Sequence, residues 1–139
     1  MPEPDLRIRV GVDIVGVERI ARLASEHLAR LDTVFTAAEL EYCSRKRRRD
    51  DHLAARFAAK EAMLKAVGTG LRKRMQWTDV EVVRDASGRP GVRLHGEVAA
   101  IARRKGVARI ELSLSHSAGL AMAGAIAICS EPSDREWAA

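Results

Sequence analysis

The stretch His52-Leu-Ala-Ala-Arg-Phe-Ala-Ala-Lys-Glu-Ala-Met-Leu-Lys-Ala-Val67, followed by Gly68-Thr69-Gly70, decides how the rest of the chain is read. It is rich in Ala and Leu and free of internal Gly or Pro, which predicts one long helix over His52–Val67. Asp51 stands where an N-cap is wanted, and Gly68 where a left-handed residue ends a helix. Glu61 and Lys65 lie four apart on one face, with Phe57 a turn above them. A surface ion pair of that spacing stabilises a helix by only about 0.2–0.5 kcal/mol. Two features point beyond such a pair. Ala58, Ala59, Ala62 and Ala66 let other elements come close, and the backbone of Gly68-Thr69-Gly70 can approach a phosphate. The Gly-Thr-Gly signal is weak alone, because phosphate loops usually precede a helix rather than follow one.

On the N-terminal side, Ile8, Val10, Val12 and Ile14 alternate with Arg7, Arg9, Gly11 and Asp13. Period two predicts a strand over Arg7–Val15 with one buried face, so that Asp13 points away from the aliphatic row near the strand's end. From Val17 the period changes: Val17, Ile20, Ala21, Ala24, Leu28 and Leu31 share a helical face, and Glu18, Arg19, Arg22 and Glu26 surround it. Thr36-Ala-Ala-Glu39 has capping-box spacing and opens a short helix to about Ser44. Arg45–Arg49 is a basic run expected to form a solvated loop.

On the C-terminal side, Asp79–Arg84 reads as a strand, Asp85–Arg89 as a turn and Gly91–Leu94 as the return strand. Glu97–Lys105 reads as a helix stopped by Gly106. Arg109–Ser115 and Leu120–Ile128 form a hairpin about His116–Gly119, although the second is Ala-rich enough to be helical by propensity. Strands at both ends with helices between favour an α+β fold, a single two-layer domain over 1–130 with a small antiparallel-rich sheet packed with helices. Residues 131–139 are read as a polar, flexible tail.

Composition limits the function. The 139 residues carry 24 Lys+Arg against 19 Asp+Glu, a net charge of +5, and 19 of the cations are Arg. The excess suggests an anionic partner, and also fits a GC-rich genome. No apolar run approaches the roughly 20 residues of a membrane span, and Met1–Arg9 is polar, so neither membrane nor signal segment is expected. Two cysteines, Cys43 and Cys129, form no disulfide framework, and a reducing, cytoplasmic setting is expected. Aromatics are 4%, too few and too scattered among the basic residues to give the stacking platforms of single-strand nucleic-acid binders.

Chemistry has three places to sit. Asp13 and Glu61 offer the two hard oxygen donors that a Mg²⁺ site in phosphate chemistry needs, if the fold brings them together. Leu112-Ser-Leu-Ser-His116 is read as presenting its polar side chains on one strand face ending in His116, suited to phosphate hydrogen bonding. His27, His52 and His95 have no metal-ligand spacing and are read as structural or surface residues.

Taken together, Val10-Gly-Val-Asp-Ile14, Arg56-Phe-Ala-Ala-Lys-Glu-Ala-Met-Leu-Lys-Ala-Val-Gly-Thr-Gly70 and Leu112-Ser-Leu-Ser-His116 resemble, in order and spacing, the three motifs of the holo-acyl-carrier-protein synthases. These are small single-domain 4′-phosphopantetheinyl transferases, and the resemblance runs from about Arg9 to Ile128. It implies transfer of phosphopantetheine from coenzyme A to a serine of an acidic apo acyl carrier protein, in fatty-acid synthesis, with polyketide synthesis as a further setting. It implies Mg²⁺ held by Asp13 and Glu61, with Glu61 as base and Lys65 neutralising the leaving phosphate. It places Arg56, Gly68, Thr69 and His116 on coenzyme A, Lys46 or Arg47 on its 3′-phosphate, and Arg19 and Arg22 against the carrier. It implies a homotrimer with sites at subunit interfaces, and leaves Lys60 to packing or pairing. A Mg²⁺-dependent phosphohydrolase using the same carboxylates is the alternative enzyme, and a nucleic-acid module the alternative binder.

Overall fold

The computed structural model describes residues 6–130, so the tail 131–139 lies outside the described residues. The order is β1 (Arg7–Gly16), α1 (Val17–Glu26), a 3₁₀ turn (Leu28–Arg30), α2 (Leu31–Val34), α3 (Ala37–Ser44), α4 (Arg49–Val67) and a second 3₁₀ turn (Trp77–Asp79). Then come β2 (Val80–Arg84), β3 (Pro90–Leu94), α5 (Gly96–Arg104), β4 (Val107–Ser117) and β5 (Leu120–Cys129). Strands β1, β5 and β4 form an antiparallel sheet in that order, and β2 and β3 pair as a separate antiparallel hairpin. The α+β expectation is met.

The long helix α4 crosses the three-stranded sheet, and small residues set how close it comes. The inner face of β5 is Ala121, Ala123, Ala125, Ala127 and Cys129, none more than 1% exposed, and it meets the alanines of α4. At Gly11 of β1 the approach is closest: a Cβ there would lie 2.0 Å from the Ala62 carbonyl oxygen. A core with few aromatics follows, since alanine surfaces pack by proximity rather than by large interdigitating side chains.

That packing reverses the expected burial of β1. Alternation is present, but Ile8, Val10, Val12 and Ile14 are on the outer face and exposed, while Gly11 and Val15 are buried and Asp13 half-buried beside α4. The helix covers the side where Gly11 leaves room. Met122 and Ile126 of β5 continue the outer apolar row, opposite Ile14 and Val10.

Helix limits differ in two further places. The α1 face does not run on to Leu31: the helix ends at Glu26, and Leu28 is exposed in the following 3₁₀ turn. Helix α4 starts at Arg49, so part of the basic run is helical, and Asp51 lies in its first turn rather than at the cap. There its charge still suits the positive end of the helix dipole.

Two predicted end signals hold. Thr36 and Glu39 form the capping box of α3, with the Thr36 amide donating to Glu39 Oε1 at 2.8 Å and the Glu39 amide to Thr36 Oγ1 at 3.2 Å. Gly68 (φ +86°) closes α4: its amide donates to the Lys65 carbonyl at 3.0 Å and that of Thr69 to Leu64 at 2.9 Å, the Schellman pattern. Glu39 also binds Lys60 Nζ at 2.8 Å, both side chains fully buried, and accepts the Val82 amide at 3.0 Å. Lys60 therefore ties α4 to α3 and donates to the carbonyls of Trp77 and Val80, a pairing role as expected. Burial pushes its ammonium below the ordinary lysine value, and Glu39 opposes that shift. Among the described residues no helix is long and apolar enough to cross a membrane.

Candidate active site

Two side-chain rows one residue out of step run along α4, about 100° apart around the helix. Phe57, Glu61 and Lys65 face the end of β1 and α1. There Lys65 Nζ binds Asp13 Oδ1 at 3.0 Å and the Val12 carbonyl at 3.1 Å. The strand places Asp13 because Gly11, two residues earlier on the same face, lets β1 lie against the helix. Glu61 is half-buried, and its carboxyl is pushed above the usual range by burial and by the negative charge of Asp13. Lys65 and Arg19 pull it back. Asp13, Glu61, Lys65 and Arg19 thus share one electrostatic neighbourhood.

The negative charge of Asp13 opposes ionisation of Glu61, and a divalent cation held between the two carboxylates would relieve that opposition. Among the described residues no group of three or more His, Cys, Asp or Glu gathers into a full cage. Two protein carboxylates completed by phosphate and water oxygens are what Mg²⁺ commonly accepts. The donor set fits that ion.

Beside this lies a groove of about 370 Å³ between α1 and α4, lined by Arg19, Arg22, Leu23, Phe57 and Trp77 among others. The Phe57 and Trp77 rings lie 5.1 Å apart, tilted by 46°, and the Arg19 guanidinium lies 5.7 Å from the Phe57 ring. Arg22 is exposed and pairs with Glu18 at 3.7 Å.

The other row, His52, Arg56 and Lys60, faces α3 and β2. Arg56 is buried against the Tyr42 ring at 4.1 Å, and Lys46 Nζ lies 4.7 Å from the same ring. Arg47 is exposed in the turn before α4 and takes no part in that cluster among the described residues. His116 is not on the serine face as the alternation was read. Ser113 and Ser115 point outward with Met122 and Gly124, whereas His116 shares the inner face of Leu112 and Leu114. It therefore reaches α4, its ring 5.4 Å from that of His52 and its Nδ1 3.7 Å from Asp51 Oδ2. At the helix's far end, a Cβ on Gly68 would meet the Arg9 guanidinium at 2.5 Å. Thr69 is buried, its hydroxyl donating to the Gly70 carbonyl at 3.0 Å.

A family model for the 4′-phosphopantetheinyl transferase superfamily matches residues 9–129. The chain belongs to that superfamily. It is 48% identical over 114 residues to the holo-[acyl-carrier-protein] synthase of Geobacter sulfurreducens, covering 81% of this chain and 90% of that one. The crystal structure of holo-[acyl-carrier-protein] synthase from Neisseria meningitidis matches with a TM-score of 0.77 at 32% identity, over 86% of this chain and 96% of that one. A Chronobacterium ammoniagenes synthase–coenzyme A complex matches at 0.76 and 31%, over 90% and 98%.

Several residues join these clusters that the sequence did not offer as site residues. His52 is four residues before Arg56, so helical spacing alone was enough to place it in the same row. Tyr42 and Trp77 had no such local signal, and that of Asp51 was only for a helix start. Arg84 enters from β2, its Cζ 5.2 Å from the Tyr42 ring, a meeting of residues 42 apart in sequence that no periodicity encodes.

Proposed function

We infer that this chain transfers the 4′-phosphopantetheine group of coenzyme A to a serine of an apo acyl carrier protein, releasing adenosine 3′,5′-bisphosphate. The observation that carries the reading is the convergence of Asp13, Glu61 and Lys65 at the meeting of β1 and α4. Asp13 and Glu61 would hold Mg²⁺, which when bound supplies positive charge against the pyrophosphate. Glu61 accepts the proton of the carrier serine hydroxyl, and the raised affinity of its carboxyl for protons suits a base. The serine oxygen then bonds to the β-phosphorus as the bond to the bridging oxygen of the nucleotide breaks. Lys65, half-exposed one turn beyond Glu61, offsets the charge on the departing phosphate.

We assign coenzyme A contacts to Arg56, Gly68, Thr69 and His116, with Lys46 or Arg47 as the cation for its 3′-phosphate. Arg19 and Arg22, on the rim of the groove beside Glu61, suit an acidic carrier. The domain spans 1–130 in this reading. The outer apolar row of β1 and β5 supports assembly with further copies of the chain, for which we propose a homotrimer with interfacial sites. Fatty-acid synthesis in the cytoplasm is the proposed setting, which accords with the buried free thiols of Cys43 and Cys129.

The test incubates the protein with Mg²⁺, coenzyme A and an apo carrier, and weighs the carrier. A gain of one phosphopantetheine is expected, dependent on Mg²⁺, and Glu61→Gln lowers the rate by about 100-fold or more. An unmodified carrier, with a known transferase succeeding in parallel, overturns the reading. Coenzyme A cleaved without any carrier supports the phosphohydrolase instead.

A further inference from the structure

The last turn of α4 is completed by a side chain from far along the chain. The final carbonyls of a helix find no amide within the helix itself. The Leu64 carbonyl takes the Gly68 and Thr69 amides at 3.0 and 2.9 Å, and the Lys65 carbonyl also takes the Gly68 amide at 3.0 Å. The Val67 carbonyl is taken by Lys105 Nζ at 2.9 Å, across 38 residues of sequence. Val67 is fully buried, and a buried carbonyl left without a partner is costly. An ammonium makes a stronger partner than a neutral group.

Charge gives a second reason. The C-terminal end of a helix favours a cation, and the basic residue of the last turn of α4 is Lys65. Its ammonium is turned instead to Asp13 at 3.0 Å and to the Val12 carbonyl at 3.1 Å. Lys105 supplies at the helix end the charge that Lys65 commits to the candidate site.

The backbone that carries Lys105 is held on both sides. Its amide donates to the Ile101 carbonyl at 3.0 Å as α5 ends. Gly106 follows with φ +72°, and its carbonyl accepts the Ser130 amide at 3.0 Å. From β1 the Arg9 guanidinium packs so close to Gly68 that a Cβ there would meet it at 2.5 Å. The Gly68-Thr69 turn is thus bounded by cations from β1 and from the α5–β4 turn. We propose that Lys105 is a positioning residue for the transfer: by holding the Val67 carbonyl it fixes the Gly68-Thr69 turn against which coenzyme A binds. The inference rests on the transferase reading for the placement of coenzyme A at that turn.

The experiment combines steady-state transfer, calorimetric titration with adenosine 3′,5′-bisphosphate, and amide hydrogen exchange, all on the full chain. Lys105→Met keeps the aliphatic stem and removes the ammonium. It is expected to raise KM for coenzyme A and Kd for the bisphosphate about fivefold, with kcat and KM for the carrier within about twofold. The Gly68 and Thr69 amides should exchange about tenfold faster, while that of Ala58, inside α4, keeps its wild-type rate. Lys105→Arg, which restores a cation, is expected to return every readout to within about twofold of wild type. Should Lys105→Met not fold, Lys105→Gln removes the charge and keeps a polar end, and the same pattern is expected. Val98→Ala, a buried truncation elsewhere in α5, is the stability control: it should lower the melting temperature and leave nucleotide binding unchanged.

Unchanged bisphosphate binding in Lys105→Met overturns the positioning role, as does an equal rise in KM for coenzyme A and for the carrier. Lys105→Arg that rescues nothing overturns it as well. The same weakening in Val98→Ala would reduce the effect to stability and overturn it too. Bisphosphate binding that weakens in Lys105→Met as expected, in a protein whose wild-type form modifies no carrier, keeps the role of Lys105 and overturns the transferase reading alone.

Discussion

His52 shows how a residue read as structural or surface acquires consequences from its surroundings. Its ring lies between Tyr42, at 6.2 Å, and His116, at 5.4 Å. Burial, reinforced by His116, Arg56, Lys46 and Arg84, holds its basicity below the ordinary histidine value of 6.5. The folded protein therefore binds fewer protons at His52 than the unfolded chain does once the pH falls below 6.5. Stability contributed by the neutral ring is complete above that value and is lost as the pH falls towards the depressed folded value. Urea melts between pH 7 and pH 5 should show wild type losing stability more steeply than His52→Gln. Parallel curves for the two proteins would show that the ring is not held neutral by its neighbours.

Among the elements, α4 was the most legible because its cause is local: a long run of strong helix formers with no breaker needs no partner to declare itself. The capping box at Thr36 and Glu39 and the left-handed stop at Gly68 were legible for the same reason. Strand β1 was legible as a strand but not as to which side faces the core, since alternation gives a period and the covering element chooses the face. Here α4 chose the side of Gly11, Asp13 and Val15. His116 differs in kind: strict alternation already puts it on the face of Leu112 and Leu114 and not with the serines, and the pairing of β4 with β5 shows it there. The Asp13–Lys65 contact joins residues 52 apart, so the candidate site was visible only as fragments that the motif resemblance connected. Gly11 is where this packing can be tested. A methyl group there would sit 2.0 Å from the Ala62 carbonyl oxygen and 2.7 Å from the Ala66 amide nitrogen, both backbone atoms that cannot swing aside. Gly11→Ala should destabilise the fold by about 3 kcal/mol or more in chemical denaturation, at the upper end of overpacking costs. It should also cut transfer, because separating β1 from α4 moves Asp13 away from Glu61 and Lys65. Near-wild-type stability would mean that the strand and helix do not pack as closely as described.

At the scale of the whole molecule, one sheet face is covered by α4 and, among the described residues, the other is left open. Ile8, Val10, Val12 and Ile14 on β1 are 53–67% exposed, and Leu120, Met122 and Ile126 on β5 are 40–48% exposed. Scattered apolar residues on a surface need no explanation, but a continuous row across two paired strands is characteristic of an interface. The β1–β5 register brings Val10 opposite Ile126 and Ile14 opposite Met122, so the row forms one patch on one face. A homotrimer would bury it, and would explain why a chain with a net charge of +5 leaves so much aliphatic surface free of charge. Val10→Glu tests this with little disturbance of the subunit, because Val10 is exposed within the chain and surface substitutions usually change stability by no more than about 0.5 kcal/mol. A charge repeated at each copy's contact should instead break the assembly. Light scattering should give wild type a mass about three times 15.2 kDa and Val10→Glu a mass near that of one chain. Transfer should fall by about tenfold or more in the variant if the sites lie between subunits, while the melting of each isolated subunit stays cooperative. A wild-type mass of one chain would overturn the trimer. A monomeric Val10→Glu with full activity would show that each site is complete within a single chain.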